Sequence, residues 1–119
     1  MLYTLDPTGC MVIKNSENKL HSKYYPAYIH PSGHKEWYLN GIKHRKSGPA
    51  VEFEDGGQEW WLNGKRHRYD GPATFYANGH TEWWEHGKLH RLDGPAVIYK
   101  NGDCEYWEDG VLLFKHSEK

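Results

Sequence analysis

From Gly33 onward the chain repeats itself every 23 residues without a slip in register. Glu recurs at Glu36, Glu59, Glu82 and Glu105, followed each time by an aromatic residue, Trp37, Trp60, Trp83 and Tyr106. Gly recurs at Gly41, Gly64, Gly87 and Gly110, His-Arg at His44-Arg45, His67-Arg68 and His90-Arg91, and Gly-Pro-Ala begins at Gly48, Gly71 and Gly94. A unit this short cannot bury an apolar face alone, so a fixed period of this length specifies a stacked array in which each unit covers its neighbour. Function in such an array is expected on a surface rather than in one enclosed pocket.

Each unit reads as strands and turns. Asn40-Gly41, Asn63-Gly64, Asn78-Gly79 and Asn101-Gly102 are hairpin signals, with Asp55-Gly56, His86-Gly87 and Asp109-Gly110 at equivalent places. All seven are expected to be turns, and the Asn-Gly pairs suit type I′, which needs positive φ at both central residues. The EWWL-like and PAVEF-like segments between them favour strands. No window shows apolar spacing near 3.6, and Gly or Pro interrupts every potential helix. The expected fold is all-β: one domain over 1–119, an elongated meander of hairpin repeats over 33–110, with a worn repeat as cap over 1–32 and a C-terminal cap over 111–119. Two-residue turns at Asn40-Gly41 and its copies set Tyr38 opposite Lys43 and Trp37 opposite His44. They also set Glu36 opposite Arg45, Glu59 opposite Arg68 and Glu82 opposite Arg91, so the repeated Glu and Arg are expected to be cross-strand ion pairs. Alternation then sends Trp37 and His44 to one face, and Glu36, Tyr38, Lys43 and Arg45 to the other.

A length of 119 residues holds one small domain. A mean hydropathy of -0.96 argues against a thick two-layer core and for a single sheet packed by its aromatics. No apolar stretch is long enough for a membrane helix, and the N-terminus has no basic region followed by an apolar run, so a cytoplasmic location is expected. Cys10 and Cys104 make no disulfide framework and are expected as reduced thiols. A net charge of -1 supplies no general attraction to nucleic acid.

The chemistry-bearing residues read as architecture. Of the nine histidines, the three in register lie two strands apart, about 9 to 10 Å, too far to share one metal ion. Glu, His and Arg copied unit by unit lack the differentiation that a catalytic centre requires. No catalytic residue, metal site or cofactor is expected. Single-stranded nucleic acid is an alternative partner, since Arg45, Arg66, Arg68 and Arg91 with Trp60, Trp61, Trp83 and Trp84 offer cations and stacking planes. Opposed to that reading are the Glu residues in register with the arginines. The apolar run Val111–Phe114, on a last strand with no following unit, offers a footing for a partner or for a second copy of the chain.

The spacing W-x-N-G-x-x-H, as in Trp61, Asn63, Gly64 and His67, resembles a MORN repeat. It differs in having Arg68 after the His and in the added Gly71-Pro72-Ala73, and in these it is similar to the HRxxGPA-type repeats of tailed bacteriophages, giant viruses and some bacteria, and to MORN-variant antitoxin-like proteins. The resemblance implies a hairpin-repeat scaffold; MORN arrays serve as scaffolds, dimerisation modules and proposed phospholipid binders. A phage-type origin would imply a factor that binds and inhibits a host protein, for instance an antiviral CRISPR component. Binding is expected where units differ, at Tyr38, Lys43, Trp61, Arg66, Trp84 and Leu89, beside the repeated Arg45, Arg68 and Arg91.

Overall fold

The computed structural model describes residues 3–117. The strands in chain order are β1 (Thr4–Leu5), β2 (Met11–Val12), β3 (Tyr28–Ile29), β4 (Lys35–Glu36), β5 (Tyr38–Leu39), β6 (Ile42–Lys43), β7 (Val51–Glu52), β8 (Gln58–Glu59), β9 (Trp61–Leu62), β10 (Lys65–Arg66), β11 (Thr74–Phe75), β12 (Thr81–Glu82), β13 (Trp84–Glu85), β14 (Lys88–Leu89), β15 (Val97–Ile98), β16 (Cys104–Glu108) and β17 (Val111–His116). Eleven of them form one antiparallel meander sheet in the order β1-β2-β3-β4-β7-β8-β11-β12-β15-β16-β17. The others are paired as three side hairpins, β5 with β6, β9 with β10 and β13 with β14. The described residues contain no helix, and the body measures 50 × 25 × 20 Å. The all-β elongated meander expected from the period is therefore the observed fold.

Within a unit the chain leaves the sheet at Trp37, makes a side hairpin, crosses the His-Arg-x-x-Gly-Pro loop and re-enters at Ala50. Trp37 N–H donates to the Ala50 carbonyl, and Trp60 and Trp83 repeat the bond with Ala73 and Ala96. At the re-entry point Ala27, Ala50, Ala73 and Ala96 are all at 0% exposure. With Val51, Thr74 and Val97 these alanines make a thin core along the array axis. Neighbouring side hairpins join through the backbone: Gly64 N–H donates to the Lys43 carbonyl, and Arg45 N–H to the Trp61 carbonyl.

Two expectations fail here. The seven turns are of two kinds. In the side hairpins and the last hairpin both central residues have positive φ, Asn40 50° and Gly41 81°, Asn63 52° and Gly64 79°, His86 51° and Gly87 80°, and Asp109 49° and Gly110 82°, as type I′ requires. At Gly56, Gly79 and Gly102 only the glycine is positive, and its N–H closes on the residue three before it, Phe53, Tyr76 or Tyr99. These are type I turns with a G1 bulge, stabilised by an Asx bond such as Gly57 N–H to Asp55 Oδ1 at 3.0 Å. The expected pairs Glu36–Arg45, Glu59–Arg68 and Glu82–Arg91 are also not formed; Arg45 meets Glu52 and Arg66 meets Glu59 instead. Glu36 pairs with Tyr28 and Val51 across the main sheet, and Glu59 with Val51 and Thr74. The side hairpin keeps the expected Tyr38–Lys43 and Leu39–Ile42 partners but ends there, so its register never extends to Glu36 and Arg45.

Candidate binding surface

The repeated His-Arg-x-x-Gly-Pro motif is a local clamp. The Arg68 guanidinium lies 3.9 Å over the Trp60 ring, with Arg45 over Trp37 at 3.8 Å and Arg91 over Trp83 at 3.9 Å. Each arginine donates from Nη1 to a proline carbonyl four residues on, at Pro49, Pro72 and Pro95. The glycine before that proline leaves room for the stacked guanidinium: a Cβ at Gly71 would stand 2.7 Å from Arg68 Cζ and push it off the ring. The histidine works between units. His44 Nδ1 accepts the Asn63 N–H at 2.9 Å, His67 that of His86 at 2.9 Å, and His90 that of Asp109 at 3.0 Å, so each ring caps the next type I′ turn. His21 does the same for Asn40 at 2.9 Å, which makes residues 14–27 a working unit despite their altered sequence.

On the opposite face runs a row of carboxylates. Each accepts a hydrogen bond from the aromatic two residues on: Glu36 from Tyr38, Glu59 from Trp61, Glu82 from Trp84 and Glu105 from Trp107. Arg66 lies between the Trp61 and Trp84 rings, 5.2 and 5.4 Å from their centroids, and 3.6 Å from Glu59. Lys43 stands over Trp61. Burial raises the Glu36 and Glu105 carboxyls, but hydrogen bonds from His34 and Tyr38, and from Trp107 and Tyr99, outweigh it and hold both below the usual range. The Tyr99 hydroxyl is pushed up to about 12 by its bond to Glu105 and by burial.

The nine residues expected at the site thus divide between two faces. Tyr38, Lys43, Trp61, Arg66, Trp84 and Leu89 share the carboxylate face, Leu89 directly opposite Trp84. Arg45, Arg68 and Arg91 lie on the other face against Trp37, Trp60 and Trp83. Arg45 was expected beside Tyr38 and Lys43; it crosses instead because the chain turns into the Gly-Pro loop after His44.

The Trp37 face carries three grooves at one-unit intervals. The first is lined by Trp37, Leu39, Arg45, Lys46, Lys23 and Tyr24. Trp60, Leu62, Arg68, Lys46, Tyr69 and Asp70 line the second. Trp83, Glu85, Arg91, Asp93, Tyr69 and Leu92 line the third. Comparison with family models, curated proteins and solved structures gives no match. Geometry therefore carries the functional argument.

The lips of these grooves were missed in the sequence. Tyr24 is 73% exposed, Tyr69 67% and Leu92 77%, and together with Leu5 they are the most exposed large hydrophobic side chains of the described residues. All three fall in the two positions between the repeated Arg and Gly, or their worn counterparts, which read Lys23-Tyr24, Lys46-Ser47, Tyr69-Asp70 and Leu92-Asp93. Variation flanked by invariance was the available signal. At the far end Val111, Leu112, Leu113 and Phe114 are exposed on β17, whose outer edge is unpaired in the sheet order. Cys10 and Cys104 are buried free thiols, and among the described residues no cluster of His, Cys, Asp or Glu has metal-binding geometry.

Proposed function

We propose that this chain is a non-enzymatic, MORN-like repeat module that binds another protein through the groove-bearing face of Trp37, Trp60 and Trp83. The observation that carries the reading is the repeated groove whose floor is constant and whose exposed lips, Tyr24, Tyr69 and Leu92, change from unit to unit. Aromatic and Arg side chains are the types that dominate interface energetics, and a backbone-bonded array limits the ordering cost of presenting them. The tryptophans of both faces are engaged, Trp61 and Trp84 by Glu59 and Glu82 and Trp37, Trp60 and Trp83 by the stacked Arg45, Arg68 and Arg91, so the exposed, varying lips are what favour the groove-bearing face. The Glu59 and Glu82 carboxylates disfavour the nucleic-acid alternative. The HRxxGPA resemblance leads us to place the partner among host proteins of a phage, antiviral defence components included; an antitoxin-like or scaffold role is the alternative.

Affinity capture from a bacterial lysate with mass spectrometry tests the reading. The unaltered chain should retain a protein that a Tyr69→Asp/Leu92→Asp variant loses, with both variants melting at nearly the same temperature. Retention of nucleic acid in place of protein, abolished by moderate salt, would replace this reading with the alternative.

A further inference from the structure

Resting on the protein-binding reading, we propose that the three grooves receive a proline-rich segment in the polyproline II conformation, with a carboxylate at the end lying over Trp37. The spacing of the grooves is the first ground. Successive grooves are two strands apart, about 9.4 to 9.8 Å, and the 50 Å length of the body agrees with that spacing over eleven strands. A polyproline II helix has three residues per turn at about 3.1 Å each, so every third side chain returns to the same edge after about 9.3 Å. Across the two intervals between first and third groove the mismatch is at most about 1 Å. An α-helix returns a side chain after two turns, about 10.8 Å, and drifts by about 2 to 3 Å over the same span. In an extended strand same-face residues come every 6.6 Å or so, which meets the third groove after about 19.8 Å but misses the second by about 3 Å.

Chemistry is the second ground. Polyproline II ligands dock between flat aromatic side chains and lose little conformational entropy on binding. Each groove has at its base a Trp covered by its Arg, Trp37 itself only 6% exposed, so the flat aromatic surface open to a ligand is that of Tyr24 and Tyr69, exposed walls flanking the first two. Charge is the third ground and sets the polarity of the ligand. The first groove is lined by Lys23, Arg45 and Lys46; Arg45 meets Glu52 at 3.3 Å, which leaves the two lysines to make it basic. In the third, Asp93 lies 3.0 Å from Arg91 and Glu85 3.0 Å from His90, so acid and base offset each other. An acidic residue flanking the prolines is thus favoured at the Trp37 end.

Fluorescence anisotropy on the full chain tests this with labelled decaproline carrying a pair of terminal glutamates. The same peptide with lysines in their place, and an acidic alanine-rich helical peptide, serve as comparators. We expect saturable binding of the acidic decaproline at least tenfold tighter than of either comparator. Tyr24→Ala and Tyr69→Ala should each weaken it tenfold or more, whereas Tyr99→Ala on the carboxylate face should leave it unchanged. Tyr24 and Tyr69 are both exposed, but Tyr69 also meets His86 at 3.0 Å and packs edge-on against His67, so circular dichroism and melting are used to check that each variant folds before its binding is read. Absence of saturation up to about 1 mM, equal binding of the lysine peptide, or insensitivity to both groove variants would overturn the inference. Lysate capture separates it from the reading beneath: capture lost in Tyr69→Asp/Leu92→Asp while decaproline fails to bind removes the polyproline assignment alone. Capture that survives those substitutions removes the protein-binding face itself.

Discussion

At Arg68 one side chain closes a loop: it covers Trp60, donates to the Pro72 carbonyl, meets Asp70 at 3.2 Å and occupies the space a Cβ at Gly71 would need. A cation–π contact of this kind contributes about 0.5 to 2 kcal/mol. Arg68→Ala and Gly71→Ala should each lose about 1 to 2 kcal/mol in urea unfolding. The double variant should lose little more than either, because both remove the same stack. A Glu59/Arg68 double-mutant cycle should show coupling near zero, in contrast to Trp60/Arg68. The histidine caps make a second residue-scale prediction. Burial lowers the pKa of His44 and of His67, the latter also through His86. Protonation at Nδ1 would remove the acceptor for Asn63 or His86. A folded pKa below the unfolded 6.5 means the unfolded state binds more protons between the two values, so stability rises with pH there. The contribution is complete above pH 6.5 or so and is lost as pH falls below it. Melting temperature should therefore decline from pH 7.5 to 5.5, and less steeply in His67→Asn, which cannot be protonated there.

The side hairpins are built to one pattern, yet their glycines meet different neighbours. Beneath Gly41 and Gly87, as beneath Gly110 in the last hairpin of the main sheet, lies the stem of a lysine, 3.6 Å from where a Cβ would be. Beneath Gly64 the equivalent residue is Ile42, whose Cγ2 would be 2.9 Å away. Since φ is 79° at Gly64 and 80° at Gly87, backbone strain from an alanine is the same at both, about 1 to 2 kcal/mol. Gly64→Ala should cost more than Gly87→Ala by about 1 kcal/mol, the price of overpacking a β-branched side chain. Ile42→Lys should close that gap, as read by the denaturation midpoints of the four variants.

Taken whole, the molecule has a Cα radius of gyration of 16.3 Å, against about 13.5 Å for a compact domain of this length. Small-angle scattering should return the larger value, with a distance distribution skewed to long vectors. Stability in such an array is carried by contacts between adjacent units. The array stops where His and Arg give way to Leu113 and Phe114. Tyr106 and Phe114 stack there at 4.3 Å, while the outer edge of β17 is left open. An apolar edge strand of this length is a template for pairing, so sedimentation velocity should show weak self-association that rises with concentration. Leu113→Lys should suppress it; a monomer at every concentration in the unaltered chain would exclude that contact.

What the sequence alone determined was the fold: the 23-residue period, the Gly-bearing turns and the absent helical spacing depend on local conformational preference, and local preference is written residue by residue. Tyr38 and Lys43 were placed opposite each other for the same reason, since a two-residue turn leaves no choice of partner. Beyond Trp37 and His44 that logic ends. Whether Arg68 faces Glu59 or folds onto Trp60 depends on the path of the loop between them, and the Gly-Pro corner sends it away from the hairpin. Only the tertiary structure could show that Asn63-Gly64 and Asn78-Gly79 close different turns, because the dipeptide permits both and the neighbouring strands select one. It alone could show that Tyr24, Tyr69 and Leu92 rise between successive clamps, since their exposure results from stacking units two strands apart. Register within a unit follows from bonds a few residues long; the surface the units jointly present follows from how they pack.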